Sequence, residues 1–173
     1  MALLNRAEQD TDDRESAARM AHYIQAIVAR QIVVDSIRHA EPRLQMIPLA
    51  QDFALCPVSG EFVETVTGSA PPQETETFVD LTAEFTEYLR RLSRLGRIAY
   101  VETEYQGGTG GQGAAVFDSE AMLMEPTWRD SGAINAALKI LGVKQDQGDE
   151  FSAIGLQNYR SLERWLPICG TGR

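Results

Sequence analysis

Glu102 and Glu104 stand two residues apart in the run Arg97-Ile98-Ala99-Tyr100-Val101-Glu102-Thr103-Glu104-Tyr105. In a strand that spacing sends both carboxylates to one face. Paired carboxylates can move protons or hold a metal ion. They also form the wet face of a half-buried strand, and the alternation around them favours that reading. Beside a loop, two fixed carboxylates make a receptor for Arg or Lys.

The next stretch, Gln106-Gly107-Gly108-Thr109-Gly110-Gly111-Gln112-Gly113, holds five glycines in eight positions. Glycine allows backbone angles that a side chain forbids and lets another surface approach closely. Residues Gly108 to Gly113 match Gly-x-Gly-x-x-Gly. That fingerprint binds a dinucleotide only when a helix follows, because the helix N-terminus receives the pyrophosphate. Here Ala114-Ala115-Val116-Phe117 follows and reads as a second strand. A tight hairpin is therefore expected, with Glu102, Glu104, Tyr105 and Gln112 as contact residues. The alternative is a small ligand- or nucleotide-binding domain using the Gly107–Gly113 loop, and it requires a helix directly after Gly113. A Gly-Lys-Ser/Thr ending of the Walker type is absent.

The remaining chemistry-bearing residues assemble no catalytic set. His22 and His39 are 17 positions apart, so the i, i+4 spacing of a helical metal pair fails. Cys56 and Cys169 form no Cys-x-x-Cys pair and read as free buried thiols of a reducing cytosol. Ser131 lacks the Gly-x-Ser-x-Gly frame and reads as a helix cap. Asp149 and Glu150 suit the positive end of a helix and are further candidates for binding a partner. Tyr159 to Trp165 mixes charge with aromatics, and Trp165 reads as core rather than interface. No cofactor, no metal and no enzymatic activity are expected.

The elements that position these residues mix helix and strand without strict alternation. From Asp12 to about His39, Ala17, Met20, Ile24, Ile27, Val28 and Ile32 fall near three-and-four spacing, which predicts a long N-terminal helix. Its end is ambiguous, since Gln31 to Asp35 is β-branched and also suits a strand. Phe62 to Thr67 alternates as a strand does. Gly68 to Thr77 reads as a solvated loop. Leu81, Phe85, Tyr88, Leu89, Leu92 and Leu95 mark an amphipathic helix closed by Gly96. Ala121 to Met124 suits a strand that Pro126 interrupts. Ile134, Ala137, Leu138 and Leu141 mark another helix, capped by Ser131 and closed by Gly142. Asp149 starts a shorter one. The expectation is an α+β single domain with a small antiparallel sheet. Residues 1–45 would form an N-terminal helical segment and residues 46–173 the α+β domain.

The chain of 173 residues is long enough to bury a real core, and its net charge of −9 comes from 25 acidic and 16 basic residues. That balance argues against nucleic-acid and anionic-membrane partners, which select clustered Lys and Arg. It favours encounter with a basic protein. Neither a signal peptide nor an apolar run of about 20 residues is present, so a cytoplasmic location is expected.

Ala99 to Tyr105 with its glycine loop and Gln112, Ile134-Asn135-Ala136-Ala137-Leu138 into Leu141-Gly142-Val143, Asp149-Glu150-Phe151 into Gly155-Leu156, and Arg160 to Trp165 together resemble a group of short bacterial proteins. Proteins of this look suggest the immunity partners of polymorphic toxins. The resemblance spans about residues 97–165 and implies a small acidic protein that neutralises a cognate toxin by direct binding. Gly110 and Gly111 depart from the usual loop. An oligomeric accessory protein, assembled through the N-terminal segment, is a third reading, and a homo-oligomer stays open.

Overall fold

The computed structural model describes residues 22–68, 78–106, 109–145 and 148–158. Its centre is a six-stranded sheet: β1 (His22–Arg30), β2 (Ile47–Pro48), β3 (Phe53–Pro57), β4 (Ile98–Gln106), β5 (Thr109–Asp118) and β6 (Ala121–Arg129). The order across it is β2-β3-β1-β4-β5-β6, and each neighbouring pair is antiparallel. On one face lie α1 (Gln31–Ala40), α2 (Gly60–Thr67) and α3 (Ala83–Leu92), whose Val34, Ile37, Phe62, Val63, Phe85 and Leu89 pack on Ile27, Cys56, Ile98, Tyr100 and Phe117. On the other lie α4 (Ala133–Leu141) and the single-turn α5 (Glu150–Ala153), with Ile134, Leu138 and Ile154 packed on Ile24, Val28, Leu55, Val101 and Val116. The α+β class and the antiparallel sheet are as expected. No helix among the described residues is long and apolar enough to cross a membrane.

The long N-terminal helix is not there: residues 22–30 are the strand β1, and only 31–40 are helical. β1 is covered on both faces, so Ile24 to Ala29 are all buried. A strand apolar on both sides carries no period-two signal, and Ile24, Ile27 and Val28 imitate helical spacing. Residues 12–21 lie outside the described residues. β1 pairs with β3 and β4 in the middle of the sheet, across the expected boundary at residue 45. Residues 22–45 therefore belong to the same folded unit as the rest.

Phe62 to Thr67 is helix rather than strand. Ser59 caps α2 by accepting the Phe62 N–H at 3.2 Å, and Gly68 closes it at φ 72°. These local stop and start signals outweigh the β-branched run between them. α3 forms where its pattern predicts a helix but ends at Leu92, short of the expected close at Gly96. Thr82 caps it through the Phe85 N–H at 3.1 Å, and Gly96, at φ 143°, follows the short 3-10 turn Ser93–Leu95. Pro126 does not end a strand: it sits in the edge strand β6, beside the register shift between Ala114 and Val116, where no neighbour needs its missing N–H. Ser119 and Glu120, both at positive φ, turn β5 into β6, as a two-residue hairpin loop requires. The loop reading at 69–77, Trp165 and Cys169 fall outside the described residues.

Candidate functional site

The antiparallel register builds a row of side chains across the sheet. Gln25 of β1 faces Glu102 of β4, which faces Gly113 of β5, which faces Trp128 of β6. One step toward the hairpin, Tyr23 faces Glu104, and Glu104 faces Gly111. All of these share the α1–α3 face of the sheet, together with Tyr100. Phe78, Val79 and Asp80 lie across this row before the chain enters α3.

Gly111 and Gly113 serve this packing. β5 runs as strand from Thr109 to Asp118, and no helix follows Gly113, so the dinucleotide geometry is not formed. A Cβ on Gly113 would stand 2.4 Å from the Phe78 ring and 2.6 Å from Trp128. A Cβ on Gly111 would stand 2.4 Å from Trp128 Nε1. The two rings meet edge to face over this trough, with centroids 5.5 Å apart.

Glu102 is not the wet face of the strand. It is 1% exposed, and Asp80 beside it is 2% exposed. Oε2 of Glu102 accepts the Val79 N–H at 2.7 Å. Oε1 accepts the Asp80 N–H at 3.1 Å and the Tyr100 hydroxyl at 2.8 Å. Burial pushes the Glu102 carboxyl up to about 7, against the pull of these three donors, and the nearby Asp80 adds to the rise. Burial also raises Asp80. Tyr100 is driven well up by burial, then by Glu102 and Asp80. Tyr23, 39% exposed at the rim, is raised by burial and then by Asp80, Glu102 and Glu104. The row is thus an acidic, largely dry cluster with Tyr23 and Glu104 at its exposed rim.

The other candidate residues lie on the opposite face. The Tyr105 hydroxyl donates to the Asp130 carbonyl and accepts from Gln112 Nε2 at 3.0 Å. Gln112 Oε1 accepts the Ile134 N–H at 2.9 Å, in the first turn of α4. The N-cap position of α4 is Gly132, without a side-chain cap, so Gln112 does from the sheet what Ser131 was expected to do. Asp149 caps α5, accepting from the Ser152 N–H at 2.9 Å and from Asn135 Nδ2 at 3.0 Å. Asn135 Oδ1 in turn accepts the Phe151 N–H at 2.9 Å. The Ser152 N–H holds the Asp149 carboxyl below its ordinary range. Glu150 is buried. So the structure unites Glu102 with Glu104 on one face, and Tyr105, Gln112 and Asp149 around the start of α4 on the other.

Sequence reasoning missed Tyr23, Asp80, Tyr100 and Trp128 as members of the site. Tyr100 carried a signal, since it alternates with Glu102 and Glu104. Asp80 carried none, because its link to Glu102 spans 22 residues and depends on the fold. A second concave region lies between the ends of α1 and α3, lined by Arg43, Val66, Tyr88, Arg91 and Leu95. Its Arg91 stands in the last turn of α3, where a cation answers the helix dipole without any ligand. No group of three or more His, Cys, Asp or Glu among the described residues is placed to hold a metal. A scan of family models, a search of curated proteins and a search of solved structures each returned no match to this chain.

Proposed function

We propose that the protein is an acidic, cytoplasmic binding protein that captures a cationic side chain of a basic partner between Tyr23 and Glu104. The supporting observation is this cross-strand pair itself. Both residues are exposed at the rim, the Tyr23 hydroxyl accepts from Gln25 Nε2 at 3.4 Å, and the buried carboxyls Asp80 and Glu102 lie behind them. An Arg or Lys entering there would meet an aromatic face, a carboxylate and a negative field at once. On the opposite face, Gln112 and Tyr105 tie the hairpin to the start of α4, and Asp149 caps α5 and holds Asn135 of α4. On this reading the partner is a cognate toxin, as the resemblance of residues 97–165 implies, and the chain neutralises it by direct binding.

The test is co-expression with the toxin-like product of the neighbouring gene, and titration of the two purified proteins. Wild type should restore growth. Glu104→Lys and Tyr23→Ala should each weaken binding by about tenfold or more, the scale of an interface anchor. Glu125→Lys, on the exposed far edge in β6, should leave it unchanged. Absent rescue by wild type, or an unaltered affinity in Glu104→Lys, refutes the reading.

A further inference from the structure

We propose that Phe78-Val79-Asp80 is a proton-controlled latch, closed over the glycine trough of β5 when the buried carboxyl pair Asp80 and Glu102 retains a proton and released when both carboxyls are ionised. Three contacts hold the latch. Phe78 sits over Gly113 against Trp128, and the N–H groups of Val79 and Asp80 both donate to Glu102. The carboxylate that receives the latch is 1% exposed, and Asp80 of the latch is 2% exposed beside it.

The surroundings decide the direction of the switch. β1 brings Tyr23 and Gln25 to Glu102, β4 brings Tyr100 and Glu104, and the latch brings Asp80. From α3, Phe85 packs edge-on against Tyr100 at 5.4 Å, while β5 and β6 offer Gly113 and the Trp128 ring. None of these named groups is a cation. Ionising Glu102 beside Asp80 therefore places a second negative charge in a dry site. Opening the latch lets water reach both carboxyls and restores ordinary acidity. The closed form binds the proton more tightly, so a rise in pH favours the open form. With Glu102 held up to about 7 and Asp80 also raised, the opening constant should grow by about a hundredfold between pH 4.5 and pH 8. Opening lifts Phe78 off Gly113 and bares Trp128 and the side-chain-free trough beside it. This device is a property of the chain alone and does not depend on what binds at Tyr23 and Glu104.

Hydrogen exchange of the full chain tests it, read at single amides from pH 5 to pH 8 and corrected for intrinsic exchange. Val79 and Asp80 should lose about a hundredfold in protection, with almost no dependence on added urea. Ile27 and Val101, in the core strands, should stay more protected at every pH and respond strongly to urea. In Glu102→Gln the pH dependence at Val79 and Asp80 should be largely lost. As a second readout, iodide quenching of Trp128 in a Trp165→Phe background should rise with pH. Protection at Val79 and Asp80 that does not change with pH overturns the proposal. So does protection that matches the core amides in size and urea dependence, because exchange would then require global unfolding. Both criteria are read on the wild-type chain, so they hold even if Glu102→Gln does not fold.

Discussion

Glu102→Gln separates what the carboxyl's charge does from what its shape does. In the folded chain burial lifts this carboxyl from the ordinary 4.5 to about 7. Below pH 4.5 the group is protonated in both folded and unfolded chains and contributes its full stability. Between pH 4.5 and 7 the unfolded chain gives up the proton and the folded chain keeps it, so stability falls. Above pH 7 both are ionised and the loss is complete. At about 1.36 kcal/mol per pH unit the total is about 3 kcal/mol. Wild type should lose that much more than Glu102→Gln in urea unfolding followed by circular dichroism from pH 4.5 to pH 8. The amide also turns one donor toward the Val79 N–H or the Asp80 N–H, which costs a further 1–3 kcal/mol, roughly, at every pH. Charge thus appears in the slope against pH and shape in the offset. A flat difference between the two proteins, or a wild type that gains stability relative to Glu102→Gln as pH rises, refutes the account of the buried cluster.

Gly113→Ala should destabilise the fold by about 1–3 kcal/mol in the same unfolding assay, because its methyl would enter the Phe78 and Trp128 rings. Gly68→Ala, at positive φ with nothing within 4 Å, tests backbone strain alone and should cost about 1 kcal/mol. Asp149→Ala should lower stability by about 1 kcal/mol through loss of the α5 cap, with Asp149→Asn recovering most of it. Equal effects of the Ala and Asn variants would show that the cap is not what Asp149 provides.

The parts of the fold carried by local chemistry were readable. α3 and α4 announce themselves through their apolar spacing, with Gly142 ending α4 and Gly96 closing the 3-10 turn after α3, and the β4–β5 hairpin follows from two runs around a glycine stretch. β1 was unreadable for a physical reason. Its burial on both faces erases the alternation that marks a strand, and the result imitates a helix. α2 was misread because Phe62-Val63 and Val66 suit either period, and only Ser59 and Gly68 break the tie. Glu102 and Glu104 look alike in sequence, yet one is buried and the other exposed. Their difference comes from Phe78 to Asp80 crossing the sheet over one of them, and no local pattern encodes that crossing.

The glycine stretch and the buried carboxyl explain each other. Glu102 is tolerable in a dry sheet only while donors satisfy it, and two of its three come from the backbone at Val79 and Asp80. Those amides reach it because Phe78 can settle into the row beside them. Phe78 can settle there because β5 presents no side chain at Gly113, between the large groups of β4 and β6. A side chain at that position would lift Phe78, withdraw the amides and leave the carboxyl buried without them. The glycine that resembles part of a nucleotide loop is therefore matched to an acid inside the sheet, and substitutions along the row Gln25, Glu102, Gly113 and Trp128 should couple rather than add.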